Sequence, residues 1–250
     1  MSALVLKIIA CVAMLLDHIG YFWNIHSLRV IGRIAFPIFV YMIYNGYRHT
    51  SNKGKYALRL AVFAIGTQIP FNLFVHGQLF YNDGNVFFTL LAALLALWSW
   101  DTMARHKVLR WGCFLPAAVL CLLYYKRLII SDYGMAGIVL ILVFYLFDHK
   151  GLTWKLLTVL GFYCGIYCDE LLALAKTILL VLLGRDAAFP HLSNWAMTQA
   201  YAGFALPFIF AYNGQKGTIA GKTGGKLLQY GFYLFYPLHM VLLYLISYIF

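Results

Sequence analysis

Long apolar runs broken by short polar turns set the rhythm of the chain. The runs fall at 4–23, 28–47, 56–74, 86–100, 109–125, 133–147, 152–183, 195–212 and 227–249, and each predicts helix. Several are shorter than the roughly 20 residues that cross a bilayer. The turns between them are short, and no linker divides the chain, so 1–250 reads as a single domain. The expected fold is all-α, a polytopic integral membrane bundle of about nine (nine to ten) transmembrane helices. Asp169 and Glu170 interrupt the run 152–183, which is therefore one tilted span, a re-entrant hairpin or two short spans.

Composition sharpens this picture. The chain is 63% hydrophobic and 11% charged, with a mean hydropathy of +0.79. Soluble domains carry about 25% charged residues, so a membrane location is expected before any single residue is weighed. The formal charge of +11 does not point to nucleic acid, because the basic residues gather in short loops beside apolar runs and orient helices. Arg48, Lys53, Lys55 and Arg59 follow the second run, Arg105, Lys107 and Arg110 the fourth, and Lys216, Lys222 and Lys226 precede the last. That bias predicts a multi-pass protein of the cell membrane with a cytoplasmic N-terminus, and an odd number of crossings. The first run contains Asp17-His18 and lacks a small-residue cleavage site, so it is expected to be a retained helix. The five cysteines lie in or beside apolar runs without a second ligand pair, and no metal is expected.

Against this apolar background a few polar residues are conspicuous. An ionisable side chain at the bilayer centre costs roughly 2.5–3.5 kcal/mol, and such residues face a bundle interior and mark sites. Asp17, His18 and Arg33 sit in the first two runs, Gln68 and Asn72 in the third, Thr89 in the fourth, Gln199 in the eighth and His239 in the last. At about 1.5 Å of rise per residue they reach one outer-half layer, where they are expected to line one cavity. Neighbours on a helix diverge by about 100°, so Asp17 and His18 face different ways. Asp17 is expected to pair with Arg33, or with His239 through a polar bridge, while His18 faces the cavity. Pro37 and Pro237 bend their helices and open room beside Arg33 and His239. His26, His49, His76, His106, His149 and His191 fall in or beside loops and read as solvated. The stretch 217–223 is one residue short of a phosphate-binding loop and follows no strand, so it reads as a basic glycine-rich turn.

Asp17-His18-Ile19-Gly20, Ile31-Gly32-Arg33-Ile34-Ala35-Phe36-Pro37-Ile38-Phe39, Lys55-Tyr56, Arg59-Leu60 and Gln68-Ile69-Pro70-Phe71 together resemble the TraX family. Asn85-Val86-Phe87-Phe88-Thr89-Leu90, Asp132-Tyr133-Gly134, Tyr212-Asn213-Gly214 and Phe235-Tyr236-Pro237-Leu238-His239 continue the resemblance over nearly the whole chain. It is weakest over 150–195. That family includes the F-pilin acetylation protein and looks related to a wider group of transmembrane acyltransferases. The resemblance implies transfer of an acetyl or other acyl group from acetyl-CoA, or another acyl-CoA, to an acceptor. It leaves open whether that acceptor is a protein N-terminus, a glycan or a lipid.

Acyl transfer needs a base for the acceptor's proton and a donor or cation for the developing oxyanion. His18 is the expected base; His239 shares that role or carries the acyl group as a nucleophile. Arg33 stabilises the oxyanion or holds Asp17 charged. Gln68, Asn72, Asn85, Thr89 and Gln199 are expected to meet substrate. Arg48, Lys53, Arg59, Lys216 and Lys222 form a cytoplasmic rim for CoA phosphates, with topology alone as the competing explanation for their charge. The rival functions are a proton-coupled transporter, since buried Asp, His and Arg also form proton relays, and a non-catalytic assembly factor. No inverted repeat supports the transporter.

Overall fold

In the computed structural model, the described residues are 1–106, 108–127, 130–148, 151–186, 188–190, 194–217 and 221–246. They form helices and turns with no strand among them. Helix α1 is Ala3–Phe22, α2 His26–Gly32, α3 Ala35–His49, α4 Lys53–Gly66, α5 Gln68–His76 and α6 Val86–Ala104. Then come α7 Leu115–Tyr125, α8 Gly134–Phe147, α9 Leu152–Ile166, α10 Cys168–Leu182, α11 Asn194–Gln199, α12 Ala205–Phe210 and α13 Gly221–Ile246. Each apolar run of the sequence falls on one helix or on a broken pair. Three helical segments, 3–22, 26–49 and 86–104, are long and apolar enough to cross a membrane, and a fourth counts if the bent pair α4–α5 is one span. Shorter apolar helical segments, of 10–17 residues, cover 115–125, 134–147, 152–166, 196–210 and 230–246.

Proline places the breaks. Pro37, Pro70 and Pro207 are each the third residue of the helix that follows a break, in α3, α5 and α12. A proline has no N–H for the carbonyl four residues back and its ring clashes there. Those carbonyls belong to Arg33, Gly66 and Gly203, at or just before the three interruptions. The α4–α5 axis bends by 42°. The sequence reading credited only Pro37 and Pro237 with bending; the structure adds Pro70 and Pro207, and leaves α13 one helix through Pro237. Side chains start the helices between breaks: Asn52 Oδ1 accepts from the Lys55 N–H at 2.8 Å, and Asn85 Oδ1 from the Phe87 N–H at 2.9 Å. The 152–183 run is two helices, α9 and α10, interrupted at Tyr167.

The core lies where α1, α3, α4, α6, α8 and α13 meet, with Leu6, Ile38, Leu60, Leu94, Ile141 and Met240 almost wholly enclosed. The outer faces are equally apolar. Leu58, Val62, Ile65 and Ile69 follow one face of the bent α4–α5 pair, with Leu58 64% and Ile65 70% exposed, and Leu234, Leu238, Leu242 and Leu245 do the same on α13. Stripes of this extent would be a liability in water. With the apolar segments, they make this a helical membrane protein. The polar ends of α3, α4, α6 and α8 gather at one side of the bundle, the Arg48 end. His18, Arg33 and His239 lie toward the other.

Candidate active site

His18 stands near the end of α1, and His239 lies two residues past Pro237 on α13. His18 Nδ1 and His239 Nε2 are 2.6 Å apart. The two rings are within 9° of parallel with centroids 4.9 Å apart. That is too far for a face-to-face stack and suits an in-plane N–H···N bond, since both the ring N–H and the lone pair lie in the imidazole plane. On its other side, His239 Nδ1 is 2.6 Å from the Phe235 carbonyl oxygen. A carbonyl only accepts, so Nδ1 of His239 carries the proton and its Nε2 accepts from the Nδ1–H of His18. Nε2 of His18 is then the nitrogen that gains or loses a proton without breaking the pair. Phe74, with its centroid 5.0 Å from that of His18, and Tyr236, edge-on to both rings, hold the pair from the sides. His239 is buried and His18 half-buried.

Asp17 leaves α1 in another direction, toward α2. Arg33, in the break between α2 and α3, donates from Nη2 to Asp17 Oδ1, and Arg29 Nε lies 3.7 Å from the same oxygen. Arg33 Nε also donates to the Arg29 carbonyl at 3.3 Å. A Cβ at Gly32 would collide with Asp17, so glycine lets α2 approach α1 at this level. Removing one partner of a buried ion pair costs about 3–5 kcal/mol, which makes the pair a firm strut. Asp132, on the loop before α8, adds a second carboxylate in the field of Arg33. Of the two arrangements open from sequence, Asp17 takes Arg33; His239 bonds His18 and Phe235. Both guanidinium groups lie within electrostatic reach of His18. Arg29 and Arg33 line a polar hollow of about 620 Å³ with Tyr21, Asn24, Asn194 and Thr198.

The other polar residues form separate groups. Gln68 Nε2 donates to Asn72 Oδ1 at 2.8 Å and to the Asp83 carbonyl at 2.5 Å. Asn85 Nδ2 donates to the Ala64 carbonyl at 2.8 Å and to Gln68 Oε1 at 2.9 Å. Asn72 Nδ2 donates to the Leu79 carbonyl at 3.1 Å. These three amides thus join the α4–α5 break, the 77–85 loop and the start of α6. Thr89 Oγ1 lies 2.7 Å from Ser131 Oγ. Gln199 is 2% exposed, and its Nε2 has no hydrogen-bond partner among the described residues.

An apolar cavity of about 260 Å³ runs between α1, α3, α4, α6 and α13. Lys7, Thr50 and Arg59 line it toward the Arg48 end, and Met14, Phe87 and Tyr236 toward the histidines. Tyr236 therefore lines the end of the cavity nearest the histidine pair and touches both rings. At the Arg48 end, Arg48 Nη1 reaches Asp148 Oδ2 at 2.9 Å. Lys53 Nζ reaches Asp101 Oδ2 at 3.2 Å, and Arg105 engages Asp101 at 2.9 Å. The sequence-based rim is thus divided: Arg48 and Lys53 are paired with carboxylates, Arg59 lines the apolar cavity, and Lys216 is exposed, its carbonyl accepting from the Leu4 N–H at the start of α1. The side chain of Lys222 falls outside the described residues. From sequence, Lys7, Asp101, Arg105 and Tyr236 were given no site role. An acid four residues from the end of an apolar helix was the available signal for Asp101.

The TraX family profile, described as "TraX protein", matches residues 2–247. The chain belongs to the TraX family. It is 33% identical over 262 residues, covering 97% of this chain and 94% of the relative, to the "Probable fimbrial assembly protein FimC, serogroup H1" of Dichelobacter nodosus. No solved structure matches.

Proposed function

We propose that this TraX-family protein is a membrane-embedded acyltransferase that moves an acetyl or other acyl group from acyl-CoA to an amine or hydroxyl acceptor. The donor enters from the Arg48 end, which is cytoplasmic if nine crossings and a cytoplasmic N-terminus hold, as the basic loops favour. The acceptor arrives from the opposite side. The observation that carries this reading is the His18–His239 bond, which fixes one tautomer and leaves His18 Nε2 as the working base. Nε2 takes the proton from the acceptor's nitrogen or oxygen as that atom attacks the thioester carbonyl. The tetrahedral oxyanion collapses, the C–S bond breaks, and the proton on His18 goes to the departing thiolate. Arg33 and Arg29 supply positive field for the oxyanion, and Asp17 anchors them. The relative's fimbrial assembly name brings subunits of surface filaments forward among protein, glycan and lipid acceptors.

The test is acyl-CoA consumption by the purified full chain in detergent or liposomes. Wild type is expected to transfer or slowly hydrolyse the acyl group, and His18→Ala to lose about 10²–10⁴-fold in rate per folded molecule. Unaltered turnover in His18→Ala overturns the assignment of the base. Proton flux with no CoA consumption overturns the enzyme reading and favours the transporter.

A further inference from the structure

The Arg48 end carries a second cavity that the transfer chemistry does not use. It is a polar bowl of about 460 Å³ between the ends of α3, α6 and α8 and the start of α4. Its cations are Arg48, Lys53 and Arg105, and its acids are Asp101 and Asp148. Thr50 lines both this bowl and the apolar cavity that leads to Tyr236. A charged chamber and an apolar passage therefore meet at one residue.

The bowl's acids are engaged from within. Asp101 accepts from Tyr47 at 2.6 Å, from Tyr145 at 3.0 Å, and from Lys53 and Arg105. Asp148 accepts from Tyr44 at 3.0 Å and from Arg48. These bonds fix the cations at the rim more than they neutralise it: three positive groups face two negative ones. Arg48 spends only Nη1 on Tyr44 and Asp148, and a guanidinium has five N–H donors. The side chains of Arg48 and Arg105 are 55% and 73% exposed, so their outer donors face the open bowl. Lys7 and Arg59, on the neighbouring passage, extend the positive field.

We infer that the bowl holds the phosphorylated nucleotide head of the donor, while the adjoining apolar cavity takes its pantetheine arm and acyl group. This rests on the acyltransferase reading and adds where, and by which residues, the donor is recognised. Fork-shaped guanidinium groups suit phosphate oxygens. Three tyrosines at the bowl hold its two acids in place and so keep the guanidinium groups of Arg48 and Arg105 at the rim. The passage beyond Thr50 is lined chiefly by apolar and aromatic side chains, which suit an uncharged arm.

Calorimetric titration of the purified full chain with CoA and with 3′-dephospho-CoA tests this. Charge-assisted bonds to the 3′-phosphate should make wild type bind CoA about tenfold more tightly than the dephosphorylated form. The double variant Arg48→Gln/Arg105→Gln should bring CoA down to the dephospho-CoA affinity and leave the latter little changed. Equal affinities in wild type, a comparison that needs no variant, overturn the inference while the acyltransferase reading stands. No binding of either probe overturns that reading, and the inference with it.

Discussion

The histidine pair and the Gln68–Asn72–Asn85 network are both buried polar clusters in an apolar bundle, and they are built on opposite principles. The amide network closes on itself. Gln68 gives and accepts, Asn85 caps α6 while holding Ala64 and Gln68, and Asn72 ties the 77–85 loop. Such a network specifies a backbone shape, here a 42° break and its return loop. Among the described residues, the histidine pair is closed at one end, by the Phe235 carbonyl, and open at the other, at His18 Nε2. Counting along the helices puts both clusters in one layer, so that count does not separate them. Saturation does: a polar group whose bonds are all internal holds the fold, and one with a nitrogen left over can do chemistry.

The largest effect should come from breaking the closed cluster. Asn85→Ala removes the cap of α6, about 0.5–2 kcal/mol, and leaves buried partners in Ala64 and Gln68 unsatisfied, about 1–3 kcal/mol. The melting temperature should drop clearly, while turnover per folded molecule stays near wild type. A matching loss of turnover at full stability would instead place Asn85 against substrate. His239→Gln acts the other way. Its amide oxygen can accept from His18 Nδ1–H, but it cannot also keep the Phe235 bond in the same geometry. Turnover is expected to fall about 10–100-fold, equivalent to roughly 1.4–2.7 kcal/mol, with little change in thermal stability. Unchanged rates in His239→Gln would mean that an amide oxygen holds the His18 tautomer as well as the imidazole does, and that the Phe235 bond does not matter.

Much of this was legible before any coordinates. The helices follow from apolar runs, and Asp17, His18, Arg33 and His239 stood out because charge and imidazole are expensive in an apolar segment. What the sequence concealed was partnership. Depth along each helix can be counted at a fixed rise, but rotation about the axis is set by packing. So the count placed Gln68 and His18 in one layer without revealing that they belong to different clusters. The break at Tyr167 was signalled by Asp169 and Glu170 just beyond it, but those charges left one tilted span, a re-entrant hairpin and two short spans equally open. The Arg48 end was read as a bare basic rim because Asp101 and Asp148 lie 53 and 100 residues from Arg48 in the chain, and only the fold brings them together.

Tyr236 offers the smallest and most selective perturbation. Its ring stands edge-on to Phe87, with centroids 5.0 Å apart at 87°, and edge-on to both histidines, so its contact with the pair is through the ring and not the hydroxyl. The hydroxyl meets the backbone at Val86, a single neutral bond worth about 0.5–1.5 kcal/mol of stability. Tyr236→Phe should therefore lose no more than that and keep its rate of transfer. Tyr236→Leu removes the ring, and water in the cavity gains access to His18 Nε2. Acyl-CoA hydrolysis in the absence of acceptor should then rise while transfer falls, a shift in ratio that mere loosening of the core does not produce. If hydrolysis falls together with transfer, the ring is packing alone, and the contrast between an open histidine pair and a closed amide network loses its link to the donor cavity.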